Sequence, residues 1–217
     1  MAAERAPEPE RRPPGSRYSW VVGVAFLIVI IVVGINSLPN AGRGFSGPQV
    51  GQRIPVFASP SATGTRAGDA NIKQSARDDS IGAGKTPACD VRGPGVVNLC
   101  QLSRRGPVVL VVAIPGVSRS EQQLDLVERV RREVPGVQFV GVVSNEKRGQ
   151  VAELVRKHQW RFPVAIDPDR ALFNLYRVAL PPTIVFARRG GEVMRVVANR
   201  TLSEAELRAA AQRLERG

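Results

Sequence analysis

The stretch that decides the fold is Pro107–Glu121, Pro-Val-Val-Leu-Val-Val-Ala-Ile followed by Pro-Gly-Val-Ser-Arg-Ser-Glu. The first part, to Ile114, has no polar side chain and is rich in β-branched residues. A continuous apolar run, in place of alternation, predicts a strand buried on both faces. Pro115-Gly116 breaks the run. Ser118-Arg119-Ser120-Glu121 then has the S-x-x-E spacing of a capping box and predicts an amphipathic helix to about Val134. Its buried stripe would be Leu124, Val127, Val130 and Val134.

Working outward, Val137–Val143 reads as a second buried strand, Glu146–His158 as a helix, Phe162–Ile166 as a short extended piece and Ala171–Tyr176 as a helical turn. Thr183–Ala187 and Glu192–Ala198 flank Arg188-Arg189-Gly190-Gly191, which predicts a hairpin. Ser203 with Glu206 is a second capping box, opening a final helix to Arg216. Upstream, Gly95–Cys100 reads as a short strand. The order is β, β-α-β-α, then β-β-α. Right-handed crossovers make the first half parallel, and the hairpin adds antiparallel strands. The expected class is α/β, a mixed sheet with helices on both faces.

The N-terminal part is different. No charged residue occurs between Tyr18 and Gly42, and Trp20–Ile35 reads WVVGVAFLIVIIVVGI. Roughly 20 mostly apolar residues cross a bilayer core, so residues 18–38 are expected to form one transmembrane helix, with Tyr18 and Trp20 at the headgroup layer and Pro39 ending it. Arg5, Arg11, Arg12 and Arg17 precede the span, and only Arg43 and Arg53 follow it closely. The tail 1–17 is therefore expected in the cytoplasm and the rest outside the membrane. A cleaved signal peptide is the competing reading, although Pro39-Asn40-Ala41-Gly42 is a poor small-x-small site. Residues 39–88 are rich in Gly, Pro, Ser and Ala and read as a tether with one or two docked pieces. Residues 89–217 are the expected globular domain.

Composition excludes several classes. A single His excludes a multi-His metal centre, and two Cys exclude a Cys-rich zinc module or a disulfide-dense miniprotein. No metal or other cofactor is expected. The net charge is +12, from 31 basic and 19 acidic residues. The basic residues are dispersed, aromatics are 5%, and no basic run interleaves with them, so nucleic acid is not an expected partner. A dispersed positive field suits anionic lipid or wall polymer.

In this order, with a Pro-Thr step before the hairpin, the chain resembles the thioredoxin fold. More narrowly it is similar to the membrane-anchored redoxins, the extracytoplasmic thiol-disulfide oxidoreductases that include the cytochrome c maturation thioredoxins. Gly51-x-x-Ile54-Pro55-x-Phe57, Val96–Leu99 with Pro107–Leu110, Phe162–Asp167, Leu175–Val178, Leu180–Thr183 and Arg189–Val193 carry the resemblance, over about residues 50–216. It implies a bacterial cell-membrane protein with an extracytoplasmic domain, a cis-proline at Pro182, and a peptide groove lined by Pro181, Pro182, Thr183 and Ser118, with Trp160 a further contributor or a core residue.

The family's chemistry lies in a C-x-x-C at the start of the first long helix, where the helix N-terminus stabilises a thiolate. The corresponding segment here is Ala113–Glu121, with Val117 and Ser120 at the two thiol positions and no cysteine. Serine has no accessible thiolate and no reversible disulfide state, so no catalytic residue is expected there. A hydrolytic serine needs a base. His158 ends a helical stretch with no Asp expected to orient it, and no G-x-S-x-G elbow is present. Ser118 and Ser120 therefore read as capping residues.

Cys89 and Cys100 flank Asp90–Gly95, whose Arg-Gly-Pro-Gly would turn the chain back and bring the thiols together. A structural staple and a displaced redox pair both remain open. Whether the chain is an enzyme is thus open too. The expected function is a redox-inactive binding or accessory module in envelope thiol-disulfide processes, with an extracytoplasmic protein or peptide as partner. The alternatives are an oxidoreductase using Cys89 and Cys100, and a structural envelope protein with a basic surface.

Overall fold

The computed structural model describes residues 19–37, 47–144 and 147–217. The expected cytoplasmic tail 1–17, the stop at Pro39 and the beginning of the tether lie outside these residues. The chain divides into two compact units, 1–43 and 44–217. The first holds helix α1, Ser19–Ser37. Its described side chains, Trp20–Val32, are exposed. Counting only the described residues, no helix is long and apolar enough to cross a membrane.

The second unit is built on a five-stranded sheet. β3 (Val108–Ala113) is central, parallel to β4 (Gln138–Val143) and antiparallel to β6 (Thr183–Ala187). β5 (Val164–Ile166) extends the sheet beyond β4, and β7 (Val193–Ala198) beyond β6, giving the order β5-β4-β3-β6-β7. A two-stranded piece, β1 (Ala58–Pro60) with β2 (Val96–Asn98), stands beside it. The mixed sheet and the parallel-then-antiparallel order agree with the sequence reading.

Every residue of β3 is at most 1% exposed, because alternate side chains feed two cores. Val109 and Val111 face the first core. There they meet Leu124, Val127 and Val130 of α3 (Ser118–Val130), Val151 and Val155 of α4 (Arg148–Lys157), and Leu207 and Leu214 of α6 (Glu204–Arg216). Val108, Leu110 and Val112 face the second core. It contains Leu99 and Leu102 of α2 (Leu99–Arg105), Leu172 and Phe173 of α5 (Ala171–Leu175), and Tyr176. Each such side chain contributes roughly 1.5–3 kcal/mol by leaving water.

Local chemistry changes three expected boundaries. The strand read over Gly95–Cys100 stops at Asn98, because the Asn98 carboxamide accepts the Gln101 N–H at 3.1 Å and caps α2, so Cys100 is helical. The first capping box does not form. Val117 is the cap residue, Ser118 is already helical, and Glu121 Oε1 instead accepts the Gly116 N–H at 2.9 Å. α3 ends at Val130 and continues as a turn that still buries Val134 completely. The second box, Ser203 with Glu206, is present in both directions.

The segment read as a tether is part of the domain from Gly47 onward. The Ile54 N–H donates to Gly191 O at 2.7 Å, and Gly51 and Gln52 pair with Val193 along the outer edge of β7. Ala58 and Asn71 exchange two backbone bonds. Few apolar residues suffice to dock it: Ile54, Phe57, Ala62 and Ala70 are all buried.

Candidate functional site

Pairing of Val112 with Thr183 places two segments at one end of the sheet: the start of α3 and the turn before β6. The first runs from Ile114 to Ser120. Gly116 has φ +77°, a left-handed backbone that favours glycine. Val117 is half-buried and Ser118 exposed. Ser120 is completely buried and its hydroxyl has no hydrogen-bond partner. In the second segment the Pro181–Pro182 peptide is cis. Pro181, Pro182 and Thr183 are buried, whereas Leu180 is 48% exposed. Of the residues read as a peptide groove, only Ser118 is exposed, and Leu180 beside them offers the apolar surface. Trp160 is a core residue, 4% exposed, in the first core.

The expectation that nothing orients His158 is overturned. Asp125 Oδ1 lies 2.9 Å from His158 Nδ1 and also accepts the Trp160 indole N–H at 2.7 Å. The imidazole and indole rings are 5.0 Å apart. His158 Nε2 is buried without a hydrogen bond, 3.8 Å from Glu121 Oε2. Among the described residues no hydrogen bond joins His158 to a serine, so this is a carboxylate-held histidine without a nucleophile. Glu121 and Asp125 are one helical turn apart on α3, so both reach the same ring.

Cys89 and Cys100 are joined in a disulfide with Cα atoms 5.3 Å apart. Cys89 lies on a 3₁₀ turn, Ala88–Asp90, and Cys100 is the second residue of α2, 4% exposed. The Asn98 amide donates to Ala88 O and Val91 O, both at 2.8 Å, so one side chain caps α2 and clamps the Cys89 turn. α2 covers the second core and α3 the first, so the disulfide and the α3 start belong to helices on opposite faces of the sheet.

A third polar group lies just past β5. Asp167 is fully buried and accepts the Leu172 and Phe173 N–H groups at 2.9 and 3.0 Å, at the start of α5. Burial pushes its carboxyl up to about 6, against the opposing pull of those two amides. Among the described residues no cluster of three or more His, Cys, Asp or Glu could hold a metal ion.

No protein-family model matches the sequence, and no curated protein does. Solved structures do. A secreted Mycobacterium tuberculosis disulfide oxidoreductase homologous to E. coli DsbE shares 24% identity at a TM-score of 0.51, over 56% of this chain and 90% of its own. MTB dsbF, in mixed oxidised and reduced forms, shares 25% identity at 0.51, over 56% and 89%. A thioredoxin-family thiol:disulfide interchange protein from Chlorobium tepidum shares 12% identity at 0.56, over 77% and 99%. The fold is thioredoxin-like, the fold of these thiol-disulfide proteins.

Proposed function

We propose that this thioredoxin-like redoxin is a binding module without thiol-disulfide turnover, holding an extended segment of an extracytoplasmic protein against the α3 start and the 180–183 turn. One observation carries the reading. The chain's two cysteines are bonded to each other on the far face of the sheet, and the α3 start, Ala113–Glu121, contains no cysteine. Exposed Leu180 and half-buried Val117 give the surface its apolar contact. Neither Pro181 nor Pro182 has an N–H, so a bound peptide would bond to these two residues only through their carbonyl oxygens. In the sequence, the uncharged run from Tyr18 to Gly42, longer than the described α1, and the arginines before it support a single-pass anchor with the domain outside the membrane.

A second reading is favoured by the disulfide itself: Cys89 is half-buried and a small reductant could reach it, which would make the pair a displaced redox couple. Titrating the full chain against thiol-disulfide buffers, with alkylation and mass detection, separates the two. A potential below about −300 mV is the expected result and marks a structural bond. A value between about −120 and −270 mV, the span of catalytic thioredoxin-fold proteins, would overturn the binding reading in favour of an enzyme.

A further inference from the structure

β7 carries an arginine where its face otherwise feeds the core. Ile184 pairs with Val197, both in the first core, and Val185 pairs with Val196 on the opposite face. One residue further, Phe186 of the first core pairs with Arg195. Arg195 thus stands on the core-facing side, its guanidinium 5.9 Å from the Phe186 ring centre. The register slips between Phe186 and Ala187, leaving Met194 as the extra residue of a β-bulge. Between this bulge and the last turns of α6 is a cavity of about 270 Å³.

Phe186, Met194 and Leu214 form its apolar wall, and Arg188, Arg195 and Arg213 border it. Glu192 lies 3.7 Å from Arg188. Among the described residues no carboxylate lies within 4.0 Å of Arg195 or Arg213. Arginines elsewhere in the domain do have partners: Arg129 with Glu204, Arg131 with Glu128, Arg208 with Glu133. Arg195 is half-buried and Arg213 exposed, and each is free to make a charge-assisted bond to an anion. The cavity is at the far end of β6 from Thr183, away from the α3 start.

We propose that this cavity binds a small amphipathic anion, a carboxylate, sulfonate or phosphate ester on a short alkyl or aryl body. The body lies against Phe186, Met194 and Leu214, and the anionic head meets Arg195 and Arg213. Planar, multi-donor guanidinium groups suit such heads. The proposal is independent of what the α3 end of the domain does.

The chain contains two methionines, Met1 and Met194, so methyl-¹³C methionine labelling of the full chain in nonionic detergent gives a direct reporter, assigned by Met194→Leu. Titration with 3-phenylpropionate is expected to shift the Met194 signal saturably and leave Met1 in place. Arg213→Gln, at an exposed helical position, and Arg195→Gln are each expected to weaken binding at least tenfold. The same body with the opposite charge, 3-phenylpropylamine, is expected to give no saturable shift, and acetate to bind at least tenfold more weakly. A static Met194 signal would overturn the proposal. So would equal binding of the amine or of acetate, or unchanged binding by Arg213→Gln.

Discussion

Asp125 of α3 is the shared acceptor of His158 Nδ1, at 2.9 Å, and of the Trp160 indole N–H, at 2.7 Å. One carboxylate thus fixes the end of α4 and the residues leading to β5. Trp160 is 4% exposed, so loss of the acceptor leaves its N–H with little access to water. Asp125→Ala is expected to cost about 1–3 kcal/mol in urea unfolding. Asp125→Asn, which keeps an acceptor oxygen, is expected to cost less than half as much. An alanine variant as stable as the parent would show that the carboxylate holds nothing.

Asp167 gives a pH dependence of unusual sign. Burial raises its folded value to about 6, above the 3.8 of an exposed aspartate. Between these values the folded chain holds the proton more firmly than the unfolded chain, so this group's contribution to stability falls as pH rises, then stays level above about 6. The loss amounts to about 3 kcal/mol at most. Other carboxylates, such as Asp78 and Glu206, are held below their usual range by hydrogen bonds and act in the opposite direction. The quantity to measure is therefore the unfolding free energy of the parent minus that of Asp167→Asn, from pH 4 to 7. It should fall across that window. A flat or rising difference would contradict the burial argument.

Much of this fold was legible because its signals are local. The continuous apolar run at Pro107–Ile114, the stripe Leu124, Val127, Val130, and the Arg-Arg-Gly-Gly turn all sit where the pattern places them. What failed was decided by single polar side chains. Asn98 ends a strand that its apolar neighbours would continue, and Glu121 bonds to Gly116 in place of a box with Ser118. The docking of residues 47–88 rests on a few scattered apolar residues, Ile54, Phe57, Ala62 and Ala70, and on backbone hydrogen bonds, neither of which gives a periodic signal. Of the candidate site, the lack of cysteine over Ala113–Glu121 was evident in the sequence. The contact of Asp125 with His158 was not, because it joins residues 33 apart through the packing of two helices.

Ser120, in the first turn of α3, tests whether its hydroxyl supports the helix start. Its hydroxyl is buried and unpartnered, which is unfavourable, and alanine is a better helix former. Ser120→Ala is expected to leave the protein equally stable or stabilise it by about 1 kcal/mol. A loss beyond about 1 kcal/mol would mean that the hydroxyl is satisfied by ordered water and is a structural part of the helix start.

The Cys89–Cys100 bond closes a loop with a sequence separation of 11, for which chain-entropy arguments give about 3 kcal/mol. The paired substitution Cys89→Ala with Cys100→Ala should lower the unfolding free energy by about that amount. The loss should also be local. The Cys89 turn is fixed otherwise by the Asn98 amide and by the Ala88 N–H to Lys73 O bond at 2.8 Å, so freeing it loosens what is tied to it. Hydrogen exchange is expected to speed up over residues 66–91 while β3 and β6 stay protected. Faster exchange spreading into β3 would instead mean that the bond supports the central sheet, because α2 would have lost its seat on Leu110 and Val140 of the second core.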